Sequence, residues 1–109
     1  MLYYMRICAY KHNMEAKMEM ERLSDFYKMF ADSSRLKIIE CLNNKELSVN
    51  EIVDLTKLSQ TAVSHQLRIL RDNHVVKFKR QAQQIFYSID DEHISKILDV
   101  AIEHLSESA

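Results

Sequence analysis

The chain has 109 residues, contains no glycine and no proline, and carries a formal net charge of −1. Such a length suits one domain with a modest core and is small for an independent enzyme. The missing glycines exclude glycine-rich phosphate loops, and the two cysteines, Cys8 and Cys41, form neither a CxxC pair nor a disulfide framework.

No apolar run reaches the roughly 18 residues of a membrane span, and no signal peptide is recognisable. A soluble, cytoplasmic chain with no membrane partner is therefore expected. The near-neutral total hides a polarity. Between Lys57 and Arg80, the basic residues Lys57, Arg68, Arg71, Lys77, Lys79 and Arg80 stand against Asp72 alone. From Asp90 onward the balance reverses, with Asp90, Asp91, Glu92, Asp99, Glu103 and Glu107 against Lys96. This order points to a polyanion-binding surface followed by a separate cation-binding end.

Residues 1–14 show no clear period and are expected to form a poorly ordered or loosely helical segment ahead of one domain over 15–109. Leu23, Phe26, Tyr27 and Phe30 then make a helical stripe, which predicts a helix from about Glu15 to Phe30. A second helix starts at the Asp32-Ser33-Ser34 cap cluster, carries Leu36, Ile38, Ile39, Cys41 and Leu42, and ends at Asn43-Asn44. Cys41 lies inside this apolar run and reads as a packing residue. Ser48-Val49-Asn50-Glu51 is a capping box, opening a short helix with Ile52, Val53 and Leu55 inward. After the tight connection Thr56-Lys57-Leu58, Ser59 caps a helix that reaches about Asp72. Val63, Leu67 and Leu70 form its core face, with Thr61, Ser64, His65 and Arg68 opposite. A short helix, a tight turn and a helix with a hydrogen-bonding outer face describe a helix-turn-helix whose second helix is the reader. Val75–Arg80 and Gln84–Ile89 enclose Gln81-Ala82-Gln83 and read as a β-hairpin with Lys77, Lys79 and Arg80 on its first strand and tip. Its place directly after a reader helix favours a DNA-contacting wing over a solvated edge ribbon.

The last helix, Asp91 to Glu107, has Ile94, Ile97, Leu98, Ala101, Ile102 and Leu105 at helical spacing, the mark of one buried stripe. His93 and His104 share a face but lie about 16 Å apart along the axis, too far for one ion to touch both. Two copies would solve this. About a two-fold axis between Leu98 and Asp99, an antiparallel pair sets His93 against His104 and Asp91 against Glu107 of the second copy. Two oxygen and two nitrogen ligands result at each end, a set suited to Zn(II) or Co(II) and poor for metals that want thiolates.

The segments FADSSRLKIIECL, LSQTAVSHQLRIL, KRQAQQIFYSI and DEHISKILDVAIEHLSE together resemble the ArsR/SmtB family of metal-sensing winged-helix repressors, from roughly Leu23 to Glu107. The resemblance implies a mainly α winged helix-turn-helix in the order α-α-α-α-β-β-α, dimerising through its terminal helices. SQTAVSHQLRIL is similar to the family's recognition helix, which implies DNA contacts from Ser59, Gln60, Thr61, Ser64, His65 and Arg68. Lys57, Arg71, Lys77, Lys79 and Arg80 would add salt-dependent phosphate contacts. Asp91, His93, His104 and Glu107 match the pattern D-x-H-x10-H-x2-E of the family's zinc site. Two departures stand out. Ser48 and Asn50 replace a cysteine-x-cysteine, which counts against thiolate sensing of arsenite, cadmium or lead, although Cys8 could still add a ligand. Ala82 stands where the family commonly has glycine, and its Cβ predicts an altered wing turn.

The expected function is a homodimeric repressor that binds an inverted-repeat DNA operator and is released by Zn(II) or Co(II), with no small organic substrate. The alternatives are a repressor of the same fold with a thiol or redox signal at Cys8 or Cys41, and a constitutive DNA-binding protein with structural zinc. A zinc hydrolase using Glu92 or Glu107 as base is disfavoured, because four protein ligands leave no open position for water.

Overall fold

The computed structural model describes residues 13–108 of the chain. The elements are α1 (Asn13–Lys28), α2 (Ser33–Cys41), β1 (Leu47–Ser48), α3 (Val49–Thr56), α4 (Gln60–Asp72), β2 (Val76–Gln81), β3 (Gln84–Ile89) and α5 (Glu92–Ser108). The segment expected to be poorly ordered, with Cys8, lies outside the described residues except for Asn13 and Met14 at the start of α1. Among the described residues no helix is long and apolar enough to cross a membrane.

Side-chain caps place three of the helices. The Asp32 carboxylate accepts from the Arg35 backbone N–H at 3.0 Å and opens α2. Ser48 and Glu51 satisfy each other's backbone N–H groups at 3.3 and 2.9 Å, completing the expected capping box of α3. Ser59 Oγ accepts from the Ala62 N–H at 3.1 Å and starts α4. Each such cap is worth about 1 kcal/mol. Helix α3 stops at Lys57, which sits in the left-handed region at φ 62° and donates to the Val53 carbonyl at 2.9 Å. The next helix therefore begins only three residues later, which is what makes the turn of the helix-turn-helix tight.

The core gathers Ile38, Ile39 and Leu42 from α2 and its end, Ile52 from α3, and Val63, Leu67 and Leu70 from α4. Leu47, Val75, Val76 and Ile94 close it, with Phe26, Phe30 and Leu98 packed against its edge. The hairpin pairs Val76 with Ile89 through to Gln81 with Gln84, so its turn is only Ala82 and Gln83.

The structure corrects four expectations. Strand β1 was not foreseen: Leu47 and Ser48 pair with Tyr87 and Phe86, giving a sheet of order β1-β3-β2. Two residues carry no readable alternation, and the capping box alone had marked this stretch. Leu55 was expected inward but is 55% exposed, because a helix of eight residues buries Ile52 and leaves the next turn at the rim. The stripe of α5 is buried only at its start: Ile94 is 4% exposed, Ile97 and Leu98 are half-buried, and every residue from Asp99 to Glu107 is exposed. Lastly, Ala82 does adopt the left-handed conformation, at φ 57°. The wing turn keeps the shape a glycine would favour, and the alanine bears a cost of about 1–2 kcal/mol. In a chain without glycine, the described left-handed positions fall on Asn44, Lys57, His74 and Ala82.

Candidate functional site

Helix α4 divides its surface as its sequence demands. Val63, Leu67 and Leu70 are buried, while Ser59, Gln60, Thr61, Ser64, His65 and Arg68 are all exposed. Hydroxyls, an amide, an imidazole and a guanidinium thus face outward along one helix and its cap, the donor and acceptor repertoire that can reach base edges in a major groove. Lys57 is exposed at the left-handed end of α3, two residues before Ser59.

The basic residues of the wing and of the end of α4 are also exposed, and two of them, Lys79 and Arg71, have partners. Lys79 Nζ lies 3.1 Å from the Glu46 carboxylate. An exposed pair of this kind contributes about 0–1 kcal/mol, little enough for a phosphate to displace it. Arg71, at the end of α4, places its guanidinium 5.2 Å from the Phe78 ring centroid and 3.7 Å from the Asp72 carboxylate. That stacking ties α4 to β2, and Phe78 in turn leans on Tyr87 at 6.0 Å. Lys77 and Arg80 complete the exposed basic set of β2.

At the start of α5 the Asp91 carboxylate accepts from the His93 backbone N–H at 2.9 Å and lies 3.2 Å from His93 Nδ1. Both side chains are exposed, as are His104 and Glu107 on the far half of the helix. Among the described residues, no three His, Cys, Asp or Glu side chains converge on one point. One chain therefore joins Asp91 to His93 and does not bring them to His104 and Glu107. An imidazole beside a carboxylate is a chemically suitable half of a site for a borderline divalent cation.

Among the described residues thiolate chemistry finds no comparable place. Cys41 is half-buried, its S–H donates to the Ile38 carbonyl at 3.2 Å, and burial pushes the thiol above its ordinary range despite the opposing charge of Lys45. It borders an apolar cleft of about 810 Å³ between α2, α3 and α5, with Leu36, Leu55, Leu98 and Ile102.

Two residues that matter to this surface were not legible beforehand. The Arg35 side chain, near the start of α2, donates to the carbonyls of Lys28 and Met29 and to Gln66 Oε1 on α4. Gln66 is half-buried on the flank of α4, between its core and its exposed face. Contacts 31 residues apart leave no local signal. A second long-range bond joins Ser95 Oγ of α5 to Asn43 Oδ1 after α2, at 3.0 Å.

Known proteins share this fold. Residues 32–77 match the family described as bacterial regulatory protein, arsR family. The chain is 38% identical over 88 residues to the transcriptional repressor SmtB homolog of Synechocystis sp. (strain ATCC 27184 / PCC 6803 / Kazusa), covering 81% of this chain and 67% of that protein. It is 30% identical over 95 residues to the cadmium resistance transcriptional regulatory protein CadC homolog of Staphylococcus aureus, covering 86% and 78% of the two. Among solved structures, the homodimeric winged helix-turn-helix DNA-binding domain Mb0332 of Mycobacterium bovis, a possible ArsR-family regulator, superposes with a TM-score of 0.75. The identity there is 25%, over 91% of this chain and 94% of that one.

Proposed function

Because the chain belongs to the ArsR family of winged-helix transcriptional regulators, we propose that it is a homodimeric repressor, acting in the cytoplasm, that Zn(II) or Co(II) releases from its operator. One observation carries this reading. On α5 the candidate ligand pairs, Asp91 with His93 and His104 with Glu107, stand at the two ends of an apolar stripe that the single chain leaves exposed at Ala101, Ile102 and Leu105.

A second copy laid antiparallel on that stretch would cover the apolar residues and bring Asp91 and His93 of one chain to His104 and Glu107 of the other. Bound there, a divalent cation would supply a four-coordinate cross-link between subunits. The protein's own groups do the remaining work. Ser59, Gln60, Thr61, Ser64, His65 and Arg68 would meet base edges, while Lys57, Arg71, Lys77, Lys79 and Arg80 would neutralise phosphates. Two reader helices about 34 Å apart require an inverted-repeat operator, and a small change in the angle between subunits takes them out of register. A signal through the thiol of Cys41 has less support, since that group is packed and held protonated.

The test measures operator binding by fluorescence anisotropy with a chelator, then with Zn(II) and Co(II). Release by either metal from the wild type, lost in His93→Ala and in His104→Ala, is the expected result. Each variant homodimer lacks one histidine in both sites. A heterodimer of the two variants has one site lacking both histidines and one intact, so mixing should restore about one tight site. No tight site in the isolated heterodimer would rule out sharing between subunits.

A further inference from the structure

We propose that Arg35 is a positioning residue that fixes the seat of the reader helix α4 against α1. The inference rests on α4 being the element that reads DNA, and it adds a residue that does not itself meet the nucleic acid.

Three donors of the Arg35 guanidinium have defined acceptors. Nε donates to the Met29 carbonyl at 3.1 Å, Nη2 to the Lys28 carbonyl at 3.0 Å and Nη1 to Gln66 Oε1 at 3.2 Å. The Lys28 and Met29 carbonyls lie where α1 runs out and intrahelical partners end, and the Lys28 carbonyl also accepts from the Ala31 backbone N–H at 3.1 Å. A cation there also meets the negative end of the helix dipole. The backbone of Arg35 is itself fixed, because its N–H is taken by the Asp32 cap. One half-buried side chain therefore joins α1, α2 and α4.

The chemistry requires arginine. A planar guanidinium holds donors in a rigid fork, so the direction of the Nη1 bond to α4 is set by the two bonds made to α1. Lysine would carry the same charge as a single point and could not relate the two helices. On the α4 side, Gln66 gives its carbonyl oxygen to Arg35, which fixes the rotation of α4 about its axis. A rotation of one helical position is about 100°, so even a small fraction of that displaces Ser64, His65 and Arg68 from a base edge. The other end of α2 is pinned as well, through Asn43 to Ser95 of α5. Helix α2 thus links the terminal helices to the reader, with Arg35 as its contact at the DNA end.

The test uses the full chain and two duplexes: one selected from a random pool by the wild-type protein, and a scrambled duplex of equal length and composition. Arg35→Lys and Gln66→Leu should each lower the ratio of selected to scrambled affinity by about tenfold. The affinity for the scrambled duplex and its salt slope should stay at wild-type values, because the phosphate-binding residues are untouched. Gln66→Glu keeps an acceptor for Arg35 and should retain the ratio. The double variant Arg35→Lys/Gln66→Leu should lose no more than either single one.

A ratio unchanged within about twofold in both single variants overturns the proposal. So does an equal loss on both duplexes, which is the sign of a weakened fold with no positioning role. Additive losses in the double variant would overturn it too. Arg68→Ala serves as the control. If it loses the ratio while the Arg35 and Gln66 variants keep it, the positioning role alone falls. If it too keeps the ratio, or the wild type selects no sequence, α4 is not the reader and both readings fall together.

Discussion

Leu105→Ala is the substitution that most directly tests whether α5 is a subunit interface. Leu105 is 67% exposed in the single chain, on a helix whose opposite end is anchored in the core through Ile94. Removing its three outer carbons forfeits about 0.8 kcal/mol for each carbon that a partner would bury. With two-thirds of the side chain available for burial, that is about 1.6 kcal/mol per subunit. A two-fold interface counts every substitution twice, so the dimer should lose about 3 kcal/mol, or roughly a hundredfold in its dissociation constant. Sedimentation equilibrium on the wild type and the variant reads this directly, and circular dichroism checks that the helices remain. Since both half-sites must be held together for tight operator binding, the selected duplex should be bound more weakly as well. A dissociation constant within about twofold of wild type, in a variant of unchanged helicity, would refute the assignment of this face.

Three further outcomes follow from the same contacts. Arg68→Ala should cost about 1–3 kcal/mol on the selected duplex and relax sequence preference, whereas Lys79→Ala should weaken all duplexes alike and lower the salt slope by about one; equal behaviour of the two variants on selected and scrambled DNA would undo the division into readers and positioners. Ala82→Gly removes about 1–2 kcal/mol of left-handed strain and adds about 0.4–1 kcal/mol of unfolded-state entropy, a small net gain that should raise Tm by about 4 °C; a lower Tm would contradict the wing-tip geometry. In a Cys8→Ser background, iodoacetamide should alkylate Cys41 more slowly in the folded chain than in urea at pH 8, because burial raises the thiol's pKa and thins its thiolate. The protection should persist until the pH passes the folded-state value, and equal rates in the two states would show that Cys41 is open.

The winged helix was readable because its signals are local. Capping residues at Asp32, Ser48 and Ser59, a three-residue connection and the spacing of Val63, Leu67 and Leu70 each act within one or two helical turns. Hydrophobic periodicity gave the right face of α4 for the same reason. It misled on α5, because periodicity records that a residue is apolar and is silent on whether its own chain or another covers it. Ile94 and Leu105 belong to one stripe by sequence, yet one is buried and the other exposed. Leu55 failed likewise at the rim of a short helix. Arg35 and Gln66 were missed on other grounds: a guanidinium donating to two helix-end carbonyls and a distant amide depends on three backbone paths meeting. The ligand pattern on α5 could be written down from the sequence, while the structure brings together only Asp91 and His93.

Placing ligand pairs at both ends of an apolar stretch has a physical consequence on the proposed reading. Apolar contact is non-directional, so Ala101, Ile102 and Leu105 can hold two chains together across a range of crossing angles. Coordination is directional and short, with ligand distances of about 2.0–2.2 Å, so Asp91, His93, His104 and Glu107 accept only one of those angles. The dimer can then exist without the ion and still change shape with it, and the shift cannot exceed the difference in affinity between the two shapes. Couplings of this kind usually amount to about 1–3 kcal/mol, comparable to a few hydrogen bonds. Ser95 stands two residues from His93 and bonds to Asn43, and Arg35 bonds to Gln66. Any turn of α5 forced by coordination would therefore bear first on the bond that pins the end of α2, and α2 is the helix from which the reader is held.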